Sequence, residues 1–208
     1  MADLWADKRQ KAVKAVEPLA ARMRPRSLDE FAGQTHLLGT PGSGERPLLR
    51  RMIEAGTLTS ILLHGPPGTG KTTLARVIAG ATSRVFVAEN AASVGVARIR
   101  EIVAAAVQRL EANGPRTILF LDEIHRFTRA QQDVLLADVE GGRITLIGAT
   151  TENPLFTVNA ALVSRSTVFR LEPLTEAEVA GVLRAALADP ERGYGGRNIT
   201  VTEEAIAH

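Results

Sequence analysis

The chain has no cysteine, which removes disulfides, thiolate zinc sites and cysteine nucleophiles at once. It has no uninterrupted apolar run near the 18 or so residues a membrane span needs, so nothing in it reads as transmembrane. A secretory signal is missing too: MADLWADKRQKAVKAVEP carries charges where a signal peptide needs its apolar centre. A cytoplasmic location is the resulting expectation. There is no internal repeat and no long low-complexity tract. The four histidines, His36, His64, His125 and His208, show no metal-ligand spacing and read as packing or polar contacts. Lysine is scarce as well. Of 25 basic residues only Lys8, Lys11, Lys14 and Lys71 are lysines.

What is present is the balance of a soluble globular chain. Hydrophobic residues make up 45% and charged residues 23%, which excludes a disordered tail, a collagen-like chain or a coiled-coil rod. At 208 residues there is room for one large domain, or for one domain and part of another. Residues 1–26 hold seven basic groups against three acidic ones, a local surplus that suits either a solvated tail or phosphate contacts.

Element signals alternate. A helical stretch over Leu4–Val16 stops at Pro18, and Ser27 with Glu30 has the spacing of a capping box. After the loop Gly39–Pro47 a helix is expected over Leu48–Ala55. Short apolar runs at Ser60–His64, Arg84–Ala88, Thr117–Leu121, Arg143–Gly148 and Thr167–Leu171 read as buried parallel strands. Helical patterns, notably Val96–Glu111 and Arg129–Val139, lie between them. This order predicts an α/β fold, a parallel sheet with helices on both faces. Beyond Pro173, Thr175 and Glu178 form a second capping box opening a helix to about Ala188, and another begins near Thr202. The expected division is a basic segment 1–17, a nucleotide-binding core 18–171 and the start of a helical lid at 172–208. The last helix has too few turns to stand alone, so the chain reads as the N-terminal portion of a longer protein.

Two segments carry chemistry. Gly65-Pro66-Pro67-Gly68-Thr69-Gly70-Lys71-Thr72 fits GxxxxGK[ST] between a strand and a helix. Gly68 and Gly70 free backbone N–H groups to form an anion nest, and the following helix adds its positive end. Lys71 reaches the β/γ-phosphates, the Thr72 hydroxyl ligates Mg²⁺, and Thr73 continues the phosphate-binding turn. ATP and Mg²⁺ are the expected ligands. Ile118–Glu123 is an apolar strand ending in two carboxylates, and ligands of parallel sheets sit beyond such strand ends. Asp122 is expected in the Mg²⁺ shell and Glu123 as the base acting on water, a group that kinases of small molecules do not need.

These residues resemble those of AAA+ ATPases. ITLIGATTENP (Ile144–Pro154) resembles the strand carrying sensor 1, assigned to Thr151 with Thr150 as the competitor. Ser164-Arg165 resembles the serine–arginine motif of clamp loaders, which makes Arg165 an arginine finger for a neighbouring subunit. RMRPRSLDEFAGQTHLL, FLDEIHRFTRAQQDVLL and IGATTENPLF together resemble the RarA/MgsA replication-associated recombination ATPases, relatives of the Werner-helicase-interacting ATPase. The likeness runs from about Pro18 to Ala207.

It implies an AAA+ core with the start of a lid, and a homotetrameric, DNA-stimulated ATPase. Such proteins act at stalled forks, gaps and single-/double-strand junctions and associate with single-strand-binding protein. By the same resemblance Arg24, Pro25, Gly33 and Gln34 pack near adenine, Arg126 and Arg129 face DNA, and Asn90 restrains Glu123. The family's sensor 2 arginine and oligomerisation region have no counterpart up to His208. Ala2–Trp5 resembles peptides that dock on sliding clamps. A nucleotide-dependent scaffold with slow turnover, and a clamp-loader or branch-migration subunit, are the alternative readings.

Overall fold

The computed structural model describes residues 17–197 and 199–207. The helix expected over Leu4–Val16 and the Ala2–Trp5 peptide lie outside the described residues. The backbone divides into two compact units, residues 26–173 and a second made of 1–25 with 174–208.

The larger unit is built on five parallel strands: β1 Ile61–His64, β2 Val85–Asn90, β3 Thr117–Asp122, β4 Thr145–Thr150 and β5 Thr167–Arg170. Their order is β2-β3-β4-β1-β5, so the two strands ending in chemistry, β1 and β3, flank β4. Ile61, Leu62 and Leu63 are fully buried, as a strand covered on both faces requires. Alternate residues serve opposite layers. Ile61, Leu63, Ile118 and Phe120 join one core, with Leu74 and Ile78 of the helix Lys71–Ala81. Leu62, Leu119, Leu121 and Leu146 join the other, with Ile99 and Ile102 of the helix Val96–Glu111 and Leu135 of Arg129–Glu140. The sequence places two of these strands slightly early. Arg143 is consumed by the turn after Gly141 and Gly142, where its N–H donates to Asp138 O at 3.0 Å, so β4 starts at Thr145. Likewise β2 runs Val85–Asn90 rather than Arg84–Ala88. Ser27 accepts from the Glu30 N–H at 3.3 Å as its spacing predicts, but it closes a turn and no helix follows.

In the second unit the box at Thr175 is formed. The Glu178 N–H donates to Thr175 Oγ1 at 3.3 Å and the Thr175 N–H to Glu178 Oε2 at 2.7 Å, opening the helix Glu176–Ala188. After it, Asp189 collects the N–H groups of Glu191 and Arg192 and the Arg192 side chain. A short helix, Glu203–Ala207, returns to that helix through Arg184–Glu203.

Candidate functional site: a phosphate loop facing an acidic strand end

β1 ends at His64 and the chain enters the loop through Gly65, whose N–H donates to Thr150 O at 3.3 Å. A Cβ on Gly65 would stand 2.3 Å from Leu171 O, so the loop can leave the sheet there only without a side chain. Gly68 and Gly70 have φ of 79° and 88°, the left-handed region where glycine carries no steric penalty. Gly70 is the N-cap of the helix Lys71–Ala81, and Leu74 N–H donates back to its carbonyl at 2.7 Å. The exposed turn is Pro66-Pro67-Gly68, and Thr69 beneath it is buried, donating to Pro66 O at 3.0 Å. Thr72 and Thr73 are half-buried on the first helical turn.

Lys71 is 8% exposed, and its Nζ donates to Gly65 O and Pro66 O, each at 2.8 Å. Burial pushes its pKa below the usual lysine value, while the carboxylates of Asp122 and Glu123 pull the other way. His64, at the loop's entry, is held below the ordinary histidine value by burial, then by Arg170 and Lys71.

The acidic pair closes the far side. Asp122 is the last residue of β3, and its Oδ1 accepts the Glu123 N–H at 3.1 Å. Glu123 has φ 53° and caps a single 3₁₀ turn, Ile124–Arg126. That turn lies flat on β4 because Gly148 has no side chain: a Cβ there would come within 2.7 Å of Leu62 and 2.9 Å of Ile124. The Thr72 hydroxyl and the Asp122 carboxylate are hard oxygen donors of the kind Mg²⁺ takes, so the residues present suit that ion.

β4 ends between the two. Thr150 is fully buried and Thr151 is exposed. The Thr150 Oγ1 lies 2.9 Å from His125 Nδ1 and accepts the Glu152 N–H at 3.0 Å. His125 Nε2 in turn lies 3.3 Å from a Glu123 oxygen and 3.8 Å from Glu152.

Arg165 stands elsewhere. It caps the short helix Ala160–Ser164, two residues before β5, and pairs with Glu140 at 2.5 Å. Since Thr167 is opposite Ile61 and Arg170 opposite His64, Arg165 lies at the amino ends of the strands. The phosphate loop is at the other end, and β1 alone, from Ile61 to Gly65, puts about 13 Å between the two ends at 3.3 Å per residue. Beside Arg165 opens a cleft of about 640 Å³, which Arg116 and Glu140 also line.

Other expected residues divide similarly. Gln34 is buried, and its side-chain amide is spent on the backbone of Glu172, donating to O at 2.6 Å and accepting from N at 2.9 Å. With Gly33 at φ 71° and Gln34 at φ 55°, this segment ties down the chain after β5. Asn90 Oδ1 accepts the Ala92 N–H at 2.8 Å, a turn within its own backbone. Arg126 and Arg129 are exposed, as is Arg24.

Two residues escaped the sequence reading. Phe31 packs under the loop, its ring 2.9 Å from where a Gly70 Cβ would be. His125 was read only as a packing or polar contact, yet it joins Glu123 to β4. Its place directly after the acidic pair, in Asp122-Glu123-Ile124-His125, was the available signal. Among the described residues no group of three or more His, Cys, Asp or Glu residues forms a metal cluster, and no helix is long and apolar enough to cross a membrane.

A glycine loop at one strand end, facing a carboxylate pair two strands away, defines a nucleotide-hydrolysing site of the phosphate-loop class. The family model described as "ATPase family associated with various cellular activities (AAA)" matches residues 61–174, and the chain belongs to that family. Its curated relatives narrow the likeness. Replication-associated recombination protein A of Escherichia coli (strain K12) is 50% identical over 188 residues, 90% of this chain and 41% of that protein. ATPase WRNIP1 of Dictyostelium discoideum is 44% identical over 174 residues, 84% of this chain and 19% of that one. This chain therefore spans about two fifths of the bacterial relative. Among solved structures, a threonine-to-valine variant of Thermotoga maritima RuvB matches with a TM-score of 0.70 at 27% identity, over 89% of this chain and 58% of that one. Another, the Thermotoga maritima RuvB Holliday junction branch migration motor, matches with a TM-score of 0.59 at 28% identity over 80% of this chain and 54% of that one.

Proposed function

We propose that this chain carries the ATP-hydrolysing part of a DNA-dependent ATPase that maintains replication forks and supports recombination. The observation that carries the reading is the placing of the Lys71 loop after β1 and of Asp122 and Glu123 after β3, at the same carboxyl edge of the sheet with only β4 between them. ATP phosphates lie on Gly65–Thr73, with Lys71 as the cation and the helix terminus behind them. Mg²⁺, held by Thr72 and Asp122, neutralises phosphate charge when bound. Glu123 takes the proton of the attacking water. Thr151, exposed at the end of β4, senses the γ-phosphate.

Arg165 serves a neighbouring copy. Its position at the opposite end of the sheet from its own loop favours this, and a second cation on the transferring phosphoryl group is worth about 10³–10⁵-fold. The words replication and recombination in the relatives' name support DNA as partner. Forks, gaps and single-/double-strand junctions are the proposed places of action, with exposed Arg126 and Arg129 as the contacts. Single-strand-binding protein, a sliding clamp reached through Ala2–Trp5, tetrameric assembly and a cytoplasmic, nucleoid-associated location complete the proposal. Gly33 and Gln34 act on nucleotide by fixing the backbone beside it, since the Gln34 amide is engaged.

The test is ATP hydrolysis over a protein-concentration series, with and without gapped duplex DNA. A rate per chain that rises with both supports a DNA-stimulated site completed in trans. Tight ATP binding with slow turnover indifferent to both would replace it with the scaffold reading.

A further inference from the structure

We infer that His125 is a positioning residue that ties the proposed base Glu123 to the buried end of β4 through a relay of two contacts, a hydrogen bond with Thr150 and a close approach to the Glu123 carboxylate. The inference rests on the reading of Glu123 as base. Its geometry is independent of that reading.

The link has two contacts of different kinds. His125 Nδ1 and Thr150 Oγ1 share a hydrogen bond of 2.9 Å, and the same hydroxyl oxygen accepts the Glu152 N–H at 3.0 Å. His125 Nε2 stands 3.3 Å from a Glu123 oxygen, within ion-pair reach, and a proton on that nitrogen is attracted by a carboxylate that only accepts. The His125 side chain is only 12% exposed, so water competes weakly for both contacts. Glu152 is the more distant carboxylate at 3.8 Å and more than half exposed, which leaves Glu123 as the preferred acceptor.

The relay has a mechanical consequence. Glu123 sits on a lone 3₁₀ turn with a left-handed φ, a backbone that does little to fix a long side chain. Thr150 belongs to a strand buried along its whole length. His125 thus transfers the order of the sheet to the carboxylate, and it links that carboxylate to the loop of Thr151. Asn90, whose side-chain oxygen is turned onto the Ala92 N–H, is placed for its own turn instead.

The experiment measures kcat, KM and the Kd for ATP in His125→Phe, His125→Gln, Thr150→Val and the His125→Phe/Thr150→Val double variant, with Glu123→Gln alongside. The relay predicts that His125→Phe lowers kcat about tenfold with Kd unchanged, a loss typical of a misplaced base. His125→Gln, which can still donate and accept, recovers most of it. Thr150→Val lowers kcat severalfold alone and nothing further in the double variant, because the two act as one unit. Multiplicative losses in the double variant overturn the relay, since Thr150 would then act separately. So does an unchanged kcat in His125→Phe, or a Kd that worsens in step with kcat. If Glu123→Gln itself turns over normally, the base assignment fails first and the relay falls with it. If Glu123→Gln is dead while His125→Phe is normal, only the relay fails.

Discussion

At the scale of single residues, the site holds its cation in an uncomfortable place. Lys71 is buried and bonded to two carbonyls of its own loop, and its charge is opposed by burial. Phosphate oxygens are better acceptors for an ammonium than neutral carbonyls, so nucleotide relieves the position. Lys71→Ala is expected to abolish ATP binding while leaving the fold intact, as a fluorescent-nucleotide titration beside a melting curve would show. His64 gives a pH effect of defined sign. Its folded pKa lies below the ordinary 6.5, so as pH falls through 6.5 the unfolded chain takes up a proton that the folded chain resists. Stability should decline below about that pH and level off at the folded value. In urea unfolding at several pH values, His64→Gln should flatten this part of the slope.

At the scale of elements, glycines and one amide set the spacing between strands and the turns they support. Gly148→Ala would press a methyl into Leu62 and Ile124, and such overpacking costs roughly 1–3 kcal/mol. The same change lifts the turn carrying Glu123, so turnover should fall along with the midpoint of chemical unfolding. Gln34→Ala leaves two backbone groups of Glu172 without their partner, at a cost of about 1–3 kcal/mol by the same measurement. The phosphate loop and the acidic pair were legible in the sequence because each is contiguous and its chemistry fixes its spacing. Helix Val96–Glu111 was legible because its apolar face repeats with the helical period. What stayed hidden depends on distance along the chain. Gln34 meets Glu172 across 138 positions, and His125 meets Thr150 across 25. Neither pairing leaves a local pattern. The starts of β2 and β4 slid for a related reason, since a turn's hydrogen bonds claimed residues whose side chains suit a strand.

At the scale of the whole molecule, the sheet sets the phosphate loop at its carboxyl ends and Arg165 at its amino ends. The proposed finger role therefore has to be played at a neighbouring copy's phosphate. Arg165→Ala should keep ATP binding and lose about a thousandfold or more in turnover, within the range such fingers contribute. Mixing it with a Lys71→Ala chain, which has the arginine but no working loop, should restore part of the activity. Two inactive variants that stay inactive together would count against action in trans. Its pair with Glu140 is half-exposed and worth little in water, so releasing it is no obstacle.

The scarcity of lysine has a practical consequence at this same scale. Lys71 is the one lysine among the described residues, the other three all lying within the first fourteen positions. A lysine-specific protease thus has a single cutting point in the described chain, the bond that begins the helix Lys71–Ala81. That bond is cut only when the buried Lys71 side chain is released, so the cleavage rate reports the frequency of that opening. Nucleotide should slow the cut in proportion to its occupancy, so the appearance of the fragment 72–208 on a gel is a direct titration of the phosphate site.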